Sequence, residues 1–142
     1  MVCHIENRPW TVFVDGASSA MGVGAGIIII TLEGIRLEHS FRLRFKAPKN
    51  EAEYEALLTG LRAVLGMGAQ DVEVYSDSRL VVNQVQGNFE ARDSQMKAYL
   101  QAVKQIMNKF STVRVAQVGR AQNRHADSLA TLASSMPRRC LG

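Results

Sequence analysis

Between Trp10 and Phe45, three short β-branched and aromatic runs follow one another, joined by turns too short to hold a helix. No all-helical fold and no strictly alternating parallel sheet can begin this way, because consecutive strands with tight connections pair antiparallel. The first run, Trp10 to Asp15, leads into small residues from Gly16 that read as a turn. The second, Val23 to Leu32, is centred on four isoleucines, and Glu33-Gly34 turns the chain into a third, Ile35 to Phe45. In the third, Phe41, Leu43 and Phe45 alternate with Arg42, Arg44 and Lys46, which predicts one core face and one basic face. The basic face fits either an edge guarded against self-association or a nucleic-acid contact.

Pro48 stops the third strand, and Asn50 is placed to cap a helix running to Gly66 or Gly68. Val72 to Ser76 is a fourth strand, Ser78 to Gln86 a short helix broken at Gly87-Asn88, and Ser94 to Phe110 a longer helix. Thr112 to Val118 and Arg124 to Ser135 complete the pattern as a fifth strand and a last helix. The order βββαβααβα predicts an α/β fold, a mixed five-stranded sheet with helices on both faces. Residues 1–9 read as an N-terminal extension, 10–135 as the domain and 136–142 as a flexible tail.

The longest apolar run, Ile27 to Ile30, is far shorter than the roughly 20 residues of a membrane span. The opening residues lack a basic-then-apolar signal pattern. Cys3 and Cys140 have no metal-ligand spacing, so an intracellular setting, cytoplasmic or nuclear, is expected. Seventeen Lys and Arg stand against 13 Asp and Glu, a net charge of +4 that hints at a polyanionic partner. A monomer is expected.

Four carboxylates fall where burial makes a charge costly. Asp15 follows Val12-Phe13-Val14, Asp77 ends the fourth strand, and Asp127 lies in the first turn of the last helix. A projection at roughly 100° per residue groups Glu51, Glu55, Thr59 and Arg62 on one polar face. Glu53 falls instead among Ala56, Leu57, Gly60 and Val64. Each acid alone has a structural explanation in a turn, a cap or a helix dipole. Four together at element ends suggest a shared site, and all-oxygen ligands suit Mg²⁺ or Mn²⁺ in two-metal phosphodiester hydrolysis.

The segments Phe13-Val-Asp-Gly-Ala-Ser, Asn50-Glu-Ala-Glu-Tyr-Glu-Ala-Leu, Tyr75-Ser-Asp-Ser-Arg-Leu-Val-Val-Asn-Gln and Asn123-Arg-His-Ala-Asp-Ser-Leu-Ala appear in order. In them the chain resembles the type I ribonuclease H superfamily, in its reverse-transcriptase-like branch typical of plant gypsy-type retroelement polyproteins. The resemblance implies an endonuclease that cuts RNA paired to DNA, leaving 5′-phosphate and 3′-hydroxyl ends, with two Mg²⁺ ions that Mn²⁺ can replace. It implies Asp15 bridging both metals, Glu53 and Asp77 completing one shell, and Asp127 ligating the other. Gly16 is implied to admit the substrate backbone, Asn50 and Arg79 to face the minor groove or phosphates, and Asn123 joins them as a substrate-binding residue. The implied partners are the RNA–DNA hybrid and a reverse transcriptase domain in the same polyprotein.

Three departures from the family pattern stand out. The connection Gln86 to Asp93 is short and not notably basic, where the bacterial form has a basic protrusion. The stretch from Val118 to Asp127 is too short for the flexible loop that carries a histidine in that form, so His125 reads as a solvated cap and Arg120 as the electropositive group near the scissile phosphate. Pro48-Lys-Asn stands where Thr-Asn-Asn is usual. The alternative function is a catalytically idle module that binds nucleic acid or scaffolds a polymerase. The integrase, transposase or resolvase branch fits the acidic spacing less well.

Overall fold

The computed structural model describes residues 9–43 and 45–126. Asp127 and the other residues of the last expected helix after Ala126, Arg44, residues 1–8 of the expected extension and the expected 136–142 tail lie outside the described residues.

Among the described residues the elements follow in the expected order: β1 Trp10–Ser19, β2 Gly22–Ile30, β3 Arg36–Leu43, α1 Lys49–Gly66, β4 Asp71–Ser76, α2 Arg79–Gln86, α3 Ser94–Met107 and β5 Thr112–Gln117. The sheet order is β3-β2-β1-β4-β5. β1, β2 and β3 pair antiparallel, while β4 runs parallel to both β1 and β5. The parallel joins require crossovers, which α1 and the α2–α3 pair supply.

α1 covers the face of Val12, Val14, Ile27 and Ile29 with Leu57, Leu61 and Val64, all fully buried. Burial of each is worth about 2 kcal/mol. Gly60 lets the helix sit close, since a Cβ there would come 2.7 Å from the Val14 Cγ1. On the opposite face Phe13 stacks on Tyr75 with ring centroids 5.4 Å apart. Helical residues 124–126 begin the last expected helix on this side: His125 meets Glu38, whose register partner is Ile28, itself paired with Phe13.

Four local expectations change. β1 does not end at Asp15 but runs on to Ser19, because Gly16 to Ser19 pair with Ala25 to Gly22. Asn50 does not cap α1; Pro48 precedes the helix without a side-chain cap, and Asn50 is exposed in the first turn. Phe41 and Phe45 are not core, being 36% and 44% exposed, because β3 is the sheet edge and α1 lies over β1 and β2. Glu55 is not on a solvated face: its Oε2 accepts from the Tyr99 hydroxyl of α3 at 2.7 Å.

Candidate metal centre

The parallel pairing of β1 and β4 ends at Phe13 with Tyr75, and the two acids lie just beyond it. Asp15 sits where β1 continues with β2 alone, and Asp77 follows the last residue of β4. Ser78, not Asp77, caps α2 by accepting from the Val81 N–H, which leaves the Asp77 carboxylate for the site. Glu53 reaches the same point from α1. Asp15, Glu53 and Asp77 bring one carboxylate oxygen each to within 4.8 Å of one another. Asp15 is 1% exposed, Glu53 4%, and the Asp77 side chain 8%.

α1 is held against β1 by backbone contact. Gly16 is the hinge of this approach: a Cβ on it would lie 2.1 Å from the Ala52 carbonyl oxygen. The Gly16 N–H donates to Glu53 Oε1 at 2.8 Å, and Lys49 Nζ donates to the Gly16 carbonyl at 2.8 Å. Lys49 Nζ also lies 3.6 Å from Glu53 Oε2. Burial pushes the Glu53 carboxyl above the usual carboxylate range, and the charge of Asp77 pushes the same way. The Gly16 N–H, the Lys49 ammonium and a hydrogen bond with Asp15 oppose that rise. Arg120 lies 3.9 Å from Asp77 Oδ2 with its own side chain 85% exposed. Such a group of buried acids calls for cations, and an all-oxygen donor set fits a hard divalent ion.

The family model described as reverse transcriptase-like matches residues 13–133. The chain belongs to this family, within the ribonuclease H superfamily. Ribonuclease HI of Halobacterium salinarum is 28% identical over 120 residues, which are 83% of this chain and 60% of that protein. The chain thus spans about three fifths of that relative's length. The crystal structure of ribonuclease H1 from the same archaeon superposes with a TM-score of 0.83 over 89% of this chain and 97% of that one. A ribonuclease H1 isolated from compost, solved in complex with an RNA/DNA hybrid, gives a TM-score of 0.80 at 26% identity, covering 94% of this chain and 99% of that one. The N-terminal ribonuclease H domain of Rv2228c from Mycobacterium tuberculosis gives 0.82 at 27%, covering 90% and 100%.

Within this ribonuclease H fold, the remaining expected site residues have different fates. Asn123 is not a surface contact: it is 1% exposed, and its Nδ2 donates to the Val14 carbonyl at 3.0 Å, across 109 positions of sequence. It clips the turn that carries Arg120 to the strand residue before Asp15. Gly16 is likewise buried, and the space a side chain would fill belongs to α1 and not to a substrate. Asn50 and Arg79 are exposed, at the starts of α1 and α2, with the Arg79 guanidinium 5.6 Å from the Phe89 ring centre. His125 is solvated as expected, and its Nε2 also pairs with Glu38 Oε1 of β3 at 2.9 Å. Asp127 lies outside the described residues. Lys49 is the site residue that the sequence reading missed. Its one signal was the departure of Pro48-Lys-Asn from the family pattern, because a lysine at a helix start ordinarily reads as solvated.

Proposed function

We propose that this chain is a ribonuclease H that hydrolyses the RNA strand of RNA–DNA hybrids, leaving 5′-phosphate and 3′-hydroxyl ends. The observation that carries this reading is the meeting of Asp15, Glu53 and Asp77 from three separate elements within 4.8 Å, in a chain 28% identical over 120 residues to a named ribonuclease HI. Asp15, Glu53, Asp77 and Asp127 hold the cations, Mg²⁺ with Mn²⁺ as a substitute. Two such ions supply an acidified water for attack and charge neutralisation at the departing oxygen. The protein's own contribution is alignment: Gly16 N–H fixes one Glu53 oxygen, and Asn123 fixes the backbone before Asp15. Arg120 adds positive charge beside Asp77, where the cleaved phosphate arrives. Asn50 and Arg79 meet the hybrid from the exposed starts of their helices, where 2′-hydroxyls in a shallow minor groove mark the strand to be cut.

The working unit is residues 10–135, monomeric and intracellular. It is of the type found in plant gypsy-type retroelement polyproteins, with a reverse transcriptase domain supplying affinity. What supports a partner is the 87–93 connection: Glu90 and Arg92 pair with each other at 3.4 Å and Asp93 caps α3, so no basic arm is present there.

The test is incubation of labelled RNA–DNA hybrid with Mg²⁺, Mn²⁺ or chelator, against duplex DNA, duplex RNA and single-stranded RNA. Cleavage should be confined to the hybrid, need metal, and fall to background in Asp15→Asn and Asp77→Asn. In chelator both variants should melt higher than wild type by roughly 3 °C, since one like charge leaves the cluster. Near-wild-type cleavage by either variant, free of contaminating nuclease, would falsify the assignment.

A further inference from the structure

Lys49 stands where a helix disfavours a cation. It is the first residue of α1, at the positive end of the helix dipole. Its stem reaches back across the strand, so that Nζ donates to the Gly16 carbonyl at 2.8 Å and lies 3.6 Å from Glu53 Oε2. The other Glu53 oxygen already accepts the Gly16 N–H. Both oxygens of the buried α1 acid therefore face a protein donor, and the one that does not accept the Gly16 N–H faces the ammonium. Arg120 has no equivalent position, being 3.9 Å from Asp77 and almost fully solvated. The Lys49 side chain is 52% exposed, so it can swing away without opening the core.

We propose that Lys49 is the built-in counter-ion of the carboxylate cluster, a positioning residue that holds Glu53 when divalent cations are absent and competes with them when they enter. It thereby sets the cation concentration at which the site fills. This rests on the metal-binding reading above. The Gly16 carbonyl is the parking place of the ammonium, and Coulomb repulsion is the means of competition. With water-like screening over a spacing of about 6 Å, one unit charge alters the affinity of a divalent ion roughly tenfold.

The experiment is titration calorimetry of the full chain with MnCl₂ alone, without nucleic acid, alongside melting curves in chelator and in Mn²⁺. Lys49→Gln and Lys49→Met should each bind Mn²⁺ roughly tenfold more tightly than wild type. Both should melt lower than wild type in chelator, and both should gain more from added Mn²⁺ than wild type does. Lys49→Arg, which keeps the charge, should stay within about threefold of wild type. A lysine that merely supports the fold would lower the melting temperature without tightening the metal. Unchanged or weaker Mn²⁺ binding by a folded Lys49→Gln or Lys49→Met overturns the competition while leaving the metal site standing. Absence of Mn²⁺ binding by wild type and variants alike overturns the metal site itself, and this proposal with it.

Discussion

Three glutamates stand at alternate positions of α1, and the fold gives each a different neighbour. Glu53 is buried among Asp15, Asp77 and the Gly16 N–H, Glu55 meets the Tyr99 hydroxyl, and Glu51 is partly exposed. Glu53→Gln should reduce hybrid turnover to background. Glu55→Gln keeps an oxygen for Tyr99 and should cost about 0.5–1 kcal/mol in urea unfolding with turnover near wild type. Glu51→Gln should change neither. Comparable turnover losses in all three would show that only the charge of the helix matters. Gly16→Ala puts a carbon against the Ala52 carbonyl and should destabilise by about 3 kcal/mol or more, measured by the same unfolding curves. Stability equal to wild type would mean that α1 does not abut β1. The choice of Glu53 over its neighbours was legible in the sequence, since helical periodicity alone turns it inward. Asn123 was not, because what buries it is a carbonyl 109 positions away, and no local pattern carries that information.

At the scale of elements, α1, α2 and α3 are tied by one polar line through an apolar layer. The Tyr54 and Tyr99 rings stack at 5.4 Å and 6°, and the Tyr54 hydroxyl donates to Gln84 Oε1 at 2.5 Å. Burial pushes the Tyr54 phenol from 10.0 up to about 12, and burial with the Glu55 hydrogen bond raises Tyr99 as well. An unfolded chain releases these protons near their ordinary values, whereas the fold retains them. The stabilisation is therefore complete below pH 10 and is lost as pH rises toward 12. Urea unfolding followed upward from neutral pH should show this alkaline decline. Tyr54→Phe should flatten it while costing about 1 kcal/mol at neutral pH. An identical slope in the variant would remove Tyr54 as the cause. Helices and strands were legible to within a few residues because periodicity is a local property. Strand order was not, and with it went the standing of Phe41, which alternates like a core residue but lies on the sheet edge, beyond the cover of α1. β1 was read too short for a related reason: Asp-Gly is a turn signal until a glycine-rich partner such as Gly22 to Gly26 pairs with it.

Taken whole, the molecule carries +4 net charge while a group of its acids is sequestered in one cluster, so the remaining surface is more positive than the total. That favours a polyanion without a dedicated arm to grip it. Hybrid binding by the isolated chain should therefore be weak and sensitive to salt. If three phosphates are contacted, doubling the salt raises KM about sixfold. Steady-state cleavage across a sodium chloride series measures this, and a KM indifferent to salt would contradict it. A different consequence follows from the absence of any side chain between Gly16 and Ala52. The separation of the strand that bears Asp15 from the helix that bears Glu53 is gauged by main chain against main chain. Apolar residues away from the Gly60–Val14 contact can swap volume among themselves without resetting that gauge. A repacked interior can in this way keep one tolerance at the place where the chemistry demands it.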